Sequence, residues 1–477
     1  MPFNSLAFIL AFILFSTLYN VSHGLKFKSF LLLLGSFGFY SFIGFFNLFF
    51  LLSIILVTYI AAYKFIHTGK NFVLSIGVLF IILQLLFAKY ANTILEHYFT
   101  FSSLEFACFN IFILPVGISF YSLQAIGLLE DLRSGRFKGD TSLTSIALFL
   151  SFFPQSISGP IHRAGDLIPQ FLIGRQFKSN DIFIGLKIML WGYFCKLIVA
   201  DKIAIIISPV FISFQEFDGF SILVSALLYS FQIYFDFWGY SLIAIGLGRV
   251  LGFTINTNFR NPYAARSFKE FWHRWHITLS KWMKDYIYIP LGGRRQSHYI
   301  LFCTAILITF LISGLWHGAT FNFILWGAVH AIFYIVEDFF SKRVVFKRES
   351  FSVLSFGPLI GLLRTIVFFI LLSFTWLIFR TESFSELILL VKEIFSFSDW
   401  RVNGLENYYF SAINLFYLSI SLIAIILSQT GIIEHIISSF PSKCKQTVVD
   451  SVFICLCLIF LIFFGDIGNR EFLYFKF

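Results

Sequence analysis

An all-α, polytopic integral membrane protein is the fold class this sequence predicts, and three observations predict it. Hydrophobic residues fill 58% of the 477 positions and charged residues only 13%, against about 25% charged in a soluble chain. Mean hydropathy is +0.84, too apolar for a surface in water, where large exposed patches aggregate. The apolar residues gather into successive runs close to the roughly 20 residues that a bilayer crossing needs.

In chain order the runs predict spans over Phe3–Tyr19, Ser29–Ile43, Phe46–Tyr63, Phe72–Phe87 and Phe106–Leu129. A re-entrant segment is expected around Leu143–Ile157. Spans over Ile182–Ala200, Phe220–Leu251, Tyr299–Val336, Leu359–Phe379, Tyr408–Gln429 and Val448–Phe464 follow. With the long stretches divided, the total is about eleven to thirteen transmembrane or re-entrant helices. Met1 to Gly24 has neither a basic n-region nor an A-x-A-like cleavage site, so it is expected to be a retained span. No repeat or low-complexity linker divides the chain, and residues 1–477 are expected to form one membrane domain.

The formal net charge is +10. Lys and Arg lie in short segments between the apolar runs, which suits cytoplasmic loops and anionic headgroups. Membrane lipid is therefore the expected partner, and nucleic acid is not. The six Cys lie mostly in apolar segments and form no C-x-x-C pair, so neither a disulfide framework nor a zinc site is expected. The abundance of Phe, 69 residues, carries no functional reading.

Two segments break the simple pattern. Tyr299–Val336 runs for 38 residues without Asp, Glu, Lys or Arg. As one helix it would measure roughly 57 Å, against a hydrocarbon core of about 30 Å, so it must break. The expected break is Ser313–Thr320, where Gly314 and Gly318 flank Trp316 and His317. Irregular backbone at that depth is tolerated only inside protein or beside water.

The second segment, 257–298, carries eight Lys and Arg (Arg260, Arg266, Lys269, Arg274, Lys281, Lys284, Arg294, Arg295) against two acids, Glu270 and Asp285. Within it, Phe268, Phe271, Trp272, Trp275, Leu279 and Trp282 recur at steps of three and four. Ser267–Ile287 is thus predicted to be an amphipathic interfacial helix. Its basic face could meet headgroups or a phosphorylated ligand.

Ionisable groups within a membrane are expensive and mark pathways or active sites. His317 is the foremost candidate, as an imidazole able to act as a base at neutral pH. The alternative for it is a hydrogen-bonded interior histidine. His276 and His273 lie on the aromatic basic segment. They could share a metal at i and i+3, but carboxylates at suitable spacing are missing, and no metal is expected. Asp236, within a long apolar stretch, is expected to pair with an Arg or Lys or to orient a His. There is no Gly-Lys-Ser/Thr phosphate loop and no G-x-S-x-G elbow, which argues against an ATP-driven pump and covalent serine catalysis.

At these residues the sequence resembles the membrane-bound O-acyltransferase family, in its bacterial branch typified by the alginate O-acetyltransferase membrane subunit. The matching segments are Leu114–Tyr121, Phe152–Gln155 with Gly159-Pro160, Gln232–Phe237, Glu270–Ser280, Asp285-Tyr286 through Pro290–Gly293, Gly314–Ala319 and Trp376–Arg380. Three positions depart from the branch. Leu242 stands where an acid is usual, His273 stands where Arg is usual, and the Arg after Asp131 is shifted.

The resemblance implies a helical shell around a thin centre that holds a buried His. It maps the family's essential His onto His317 and its second well-kept His onto His276. It implies a cytoplasmic acyl donor, acetyl-CoA, with no bound cofactor. It also implies a periplasmic acetyl-relay or SGNH-type transferase partner, and location in the bacterial inner membrane. On this reading His317 is the general base, and His276 or a neighbouring donor steadies the oxyanion. Asp236, Asn322 and Trp316 support them, while Arg274, Lys281, Arg294 and Arg295 hold the donor's phosphates. The expected function is O-acetylation of an extracytoplasmic polysaccharide: an alginate-like exopolysaccharide, peptidoglycan or another surface glycan. The rivals are a proton-coupled transporter or channel and an acyltransferase of longer chains onto lipid or protein.

Overall fold

The computed structural model describes residues 3, 5–101, 114–156, 159–173, 178–293, 298–344, 357–396, 409, 411–439, 444–466 and 472. Among the described residues all regular structure is helical and there is no strand. Lipid offers the backbone no hydrogen bonds, so each apolar run satisfies its own N–H and C=O groups along a helix. Eight described helices are long and apolar enough to cross a bilayer. They are Phe45–Thr68, Asn71–Ala91, Gly219–Val250, Tyr299–His317, Phe321–Ser341, Leu359–Arg380, Ala412–Gln429 and Gln446–Phe464. The expected span Phe106–Leu129 falls partly on residues outside the described set.

The chain forms two compact units. The first comprises Met1–Met189, Ser241–Asn256 and Ile467–Phe475. It contains helices α1 (Leu6–Val21), α2 (Leu25–Ile43), α3 (Phe45–Thr68), α4 (Asn71–Phe101), α5 (Ile118–Arg133), α6 (Leu143–Ser151), α7 (Phe153–Ser156), α8 (Ala164–Ile173) and most of α9 (Ser179–Tyr193). The expected re-entrant segment is the broken pair α6–α7, turned at Phe152. Phe8, Phe39 and Phe153 interlock in the core of this unit, with Phe8–Phe39 and Phe39–Phe153 ring centroids 5.7 and 5.9 Å apart.

The segment at 254–256 is tied to α8. Gln170 accepts from Thr254 N–H at 2.9 Å and donates to Thr254 O at 3.1 Å. His162 Nε2 accepts from Asn256 N–H at 3.1 Å. Its other nitrogen therefore carries the proton and donates to Pro160 O at 3.0 Å. Burial holds this imidazole below its ordinary pKa, which keeps the accepting nitrogen free of a proton.

The second unit comprises Leu190–Tyr240, Thr257–Asp466 and Lys476–Phe477. It takes in the π-helical turn Phe194–Ala200, α10 (Asp201–Ile212) and the greater part of α11 (Gly219–Val250). The short helices α12 (Phe268–Arg274) and α13 (Ile277–Met283) follow, then the hairpin α14 (Tyr299–His317) and α15 (Phe321–Val344), and α16 (Gly357–Arg380). The remaining helices are α17 (Phe384–Phe395), α18 (Ala412–Gln429), α19 (Ile432–Ser438) and α20 (Cys444–Phe464).

Two expectations need correction in this unit. The break in Tyr299–Val336 does not span Ser313–Thr320, because α14 continues through His317 and the chain opens only at Gly318–Thr320. Gly314 is a packing glycine and not a breaker. A Cβ there would overlap the Phe323 carbonyl of α15, and one on Gly327 would overlap the Phe310 carbonyl of α14. Small residues let two membrane helices approach this closely.

The single amphipathic helix over Ser267–Ile287 is also two helices with a corner, since α12 stops at Arg274 and α13 starts at Ile277. A neighbouring strap turns the corner. Arg260 N–H donates to Arg274 O at 3.0 Å, and Ile277 N–H donates to Asn258 O at 2.9 Å. The aromatic face is buried in protein: Phe268, Phe271, Trp275, Leu279 and Trp282 are all in the core.

Candidate active site

His317 is the last residue of α14 and is 3% exposed. The hairpin places it there: α15 must return closely along α14, and Gly318 supplies the extended turn, with φ −177°. Aromatic rings surround the imidazole. Trp316 lies 4.8 Å away between centroids, and Trp326 and Phe379 each lie 5.2 Å away.

His276 occupies the corner between α12 and α13 with left-handed backbone, φ 39° and ψ 54°. Such backbone costs a non-glycine residue on the order of 1–3 kcal/mol and persists only where its surroundings over-determine it. Here Asn258 does so. Besides its backbone bond to Ile277, its side-chain Oδ1 accepts from Thr278 N–H at 3.3 Å and Thr278 Oγ1 at 2.6 Å. The His276 ring is 1% exposed and meets Phe237 edge-on at 4.7 Å. Among the described residues neither of its ring nitrogens has a hydrogen-bond partner. Burial pushes its pKa down to about 3, so at neutral pH it is an uncharged ring with one donor and one acceptor.

Trp316 neighbours both histidines, with its ring 4.8 Å from His317 and 6.2 Å from His276. The three residues come from the end of one helix and the corner between two others. A second group closes the neighbourhood of α15: Asn322 donates both amide protons to Thr381, to its carbonyl and its hydroxyl, each at 2.9 Å. It thereby ties the start of α15 to the end of α16, and its route to His317 runs through the backbone of that hairpin.

Asp236 is paired, as expected of a membrane carboxylate. Lys196 Nζ lies 2.5 Å from Asp236 Oδ1 and 2.9 Å from Asp201 Oδ1, with all three side chains buried. Lys196 sits on the π-helical turn, and such turns are rare and frequent at functional sites. A Cβ on Gly239 would stand 2.8 Å from Gly192 O and 3.1 Å from Lys196 N. Only glycine lets α11 come close enough for Asp236 to reach the lysine.

The basic residues divide. Arg274 bonds Glu270 at 2.7 Å and approaches the carbonyls of Arg260 and Asn261, so it buttresses the corner. His273 is exposed and bonded to Lys269 O at 2.6 Å. Lys281 is exposed on α13. Arg294 and Arg295 lie outside the described residues.

The sequence reading missed Asn258, Lys196 and His330. Lys196 and His330 lie in apolar helical runs, and the rule that singled out His317 applies equally to them. Asn258 offered no such signal, because it lies in a polar gap between runs.

Comparison with known proteins gives this arrangement its context. The sequence pattern of the membrane-bound O-acyltransferase (MBOAT) family matches residues 52–379, a range that contains His276, His317 and Asp236. The chain is 33% identical over 421 residues to a probable alginate O-acetylase of Pseudomonas aeruginosa, covering 85% of this chain and 77% of that protein. It is 33% identical over 391 residues to a peptidoglycan O-acetyltransferase of Helicobacter pylori, covering 76% and 72%. It is 27% identical over 244 residues to a teichoic acid D-alanyltransferase of Streptococcus thermophilus, covering 48% and 58%. These relatives are transferases, which displaces the transporter reading. The chain belongs to the membrane-bound O-acyltransferase family and is a multi-pass membrane O-acyltransferase.

Proposed function

We propose that the protein takes an acetyl group from a cytoplasmic donor, acetyl-CoA, and passes it across the inner membrane for O-acetylation of an extracytoplasmic glycan. The observation that carries this reading is the pair of buried imidazoles, His317 and His276, each packed near Trp316. A base and a neutral donor that share one indole neighbour suit acyl transfer between a thioester and a hydroxyl. His317 takes the proton of the acceptor hydroxyl as its oxygen attacks the thioester carbonyl carbon. The N–H of His276 stabilises the oxyanion that develops. As the intermediate collapses, the C–S bond breaks and the leaving thiolate recovers the proton from His317. The new C–O bond replaces the C–S bond, with no net proton change.

The Lys196–Asp236–Asp201 group supports the site from α11, and Lys281, Arg294 and Arg295 meet the donor's phosphates. An alginate-like exopolysaccharide, peptidoglycan or another surface glycan is the final acceptor, reached through a periplasmic acetyl-relay or SGNH-type transferase partner. Relatives matched over three quarters or more of this chain are named for O-acetylation, whereas the D-alanyltransferase matches over less than half.

The test is a His317→Ala chain expressed in a strain lacking the native gene, with its membrane content measured. O-acetyl ester on the surface glycans should fall to the level of the deletion strain while the protein accumulates normally. Acetylation equal to the parent's would overturn the assignment.

A further inference from the structure

Among the described residues the acyl-transfer mechanism leaves two buried imidazoles unused, and of these His162 is hydrogen-bonded through both ring nitrogens. His330 lies on α15, is 0% exposed, and has no hydrogen-bond partner on either ring nitrogen among the described residues. Its surroundings are aromatic: Trp326 at 4.7 Å, Trp272 at 5.2 Å, Phe268 at 5.6 Å, Phe310 at 6.2 Å and Trp376 at 6.5 Å between centroids. The indole nitrogens of Trp272, Trp326 and Trp376 also have no partner among the described residues. Four neighbouring side chains thus hold buried polar atoms that nothing among the described residues satisfies.

Packing alone does not account for this group. A phenylalanine in place of His330 would fill the same ring-lined space without leaving polar atoms unmatched, and leaving buried polar groups unmatched is costly. The chemistry of the set is one-sided. An indole is a donor only, and a neutral imidazole is one donor and one acceptor. The set therefore carries four donors and one acceptor, which suits an uncharged ligand rich in carbonyl oxygens. A hydrocarbon chain would leave every donor unmatched, and a cation would meet donors.

The position of the group identifies which part of a ligand it meets. Trp326 touches both His317, at 5.2 Å, and His330, at 4.7 Å. The station is thus one indole removed from the reacting carbonyl, where the arm of a thioester donor would lie. Trp272 is its half-buried member and stands on α12, whose neighbouring cations are paired, Lys269 with Asp338 at 2.6 Å and Arg274 with Glu270 at 2.7 Å, so the set meets an uncharged part of the donor.

We infer that His330, with the indole N–H groups of Trp272, Trp326 and Trp376, forms a binding station for the amide-bearing arm of the acyl donor. This rests on the acyl-transfer reading above. It selects donors by the amide groups next to the thioester, and it works in binding, not in proton transfer.

The experiment uses full-length protein in lipid nanodiscs, a soluble glycan added in excess as the hydroxyl acceptor, and two acetyl thioesters of similar length, with thiol release as the readout. One is S-acetyl-N-acetylcysteamine, which carries an amide, and the other is S-pentyl thioacetate, which does not. The parent should prefer the amide-bearing donor in kcat/KM by roughly ten-fold, the worth of about one neutral hydrogen bond. His330→Phe should erase that preference through KM with kcat little changed, and its thermal midpoint should equal or exceed the parent's. Trp326→Phe, which removes one N–H and keeps a ring, should reduce the preference and serves if His330→Phe does not accumulate. A structural histidine would give the reverse: a lowered midpoint and an unchanged donor preference, and that result overturns the inference. A parent that turns over neither thioester would instead remove the acyl-transfer reading itself.

Discussion

A left-handed histidine marks the corner at which α12 gives way to α13, and its consequences begin with one dihedral angle. His276 at φ 39° holds its ring against Phe237 and toward Trp316. Straightening the corner into continuous helix would swing that ring to another face. The same burial has a consequence for stability. In the unfolded chain an imidazole titrates near its ordinary value of about 6.5, whereas folded His276 takes up a proton only near about 3. Between these values the unfolded chain binds the proton and the folded one does not, so acid favours unfolding. This stability is fully present above about 6.5 and is lost progressively as pH falls toward about 3. His162, also held below its ordinary value by burial, acts in the same direction. The thermal midpoint of the detergent-purified protein should fall steadily from pH 7 to pH 4. His276→Asn, which tolerates left-handed backbone, should show a shallower fall, and an identical slope would exclude His276 as a source.

At the scale of elements, the α14–α15 hairpin depends on its glycines. Glycine inside a helix is ordinarily a weakness, and replacement by alanine gains up to about 1 kcal/mol of helix propensity. At Gly327 that gain is opposed by overlap with the Phe310 carbonyl, a backbone atom that cannot turn aside. Overpacking of this kind costs about 1–3 kcal/mol, so the loss wins. Gly327→Ala should lower the thermal midpoint and reduce the amount in the membrane. Gly38 in α2 is the contrasting case, because a Cβ there meets nothing within 4 Å, and Gly38→Ala should leave the midpoint equal or slightly raised. If Gly327→Ala proved as harmless as Gly38→Ala, close helix packing would not be what positions His317. A run of 38 uncharged residues is too long for one bilayer crossing and must break somewhere. A glycine that ends a helix and one that admits a neighbour both read as Gly in a single sequence, so the place of the break is set by packing.

For the whole molecule, the positive charge in 257–298 carries the prediction. Short loops rich in Lys and Arg stay on the cytoplasmic side, which is where a CoA-type donor is found. Lys281 is exposed on α13. In a background with Cys455 changed to Ser, Lys281→Cys should react with a membrane-impermeant maleimide in inverted vesicles and remain unlabelled in intact spheroplasts. Labelling from the outside would reverse the topology and move the donor face with it.

The sequence by itself determined that this chain is a helical membrane protein, because composition and run length are read from residue types alone. It also singled out candidate residues for chemistry, since a titratable residue such as His317 or Asp236 in an apolar run stands out without any coordinates. The tertiary structure decided the rest. Lys196 as partner of Asp236, Asn258 as the clamp on His276, Trp316 beside two histidines and the unsatisfied polar atoms around His330 all join residues far apart in the chain. Such pairings follow from which helices approach and how closely. That depends on side chains meeting across helices, whereas periodicity describes only one helix at a time.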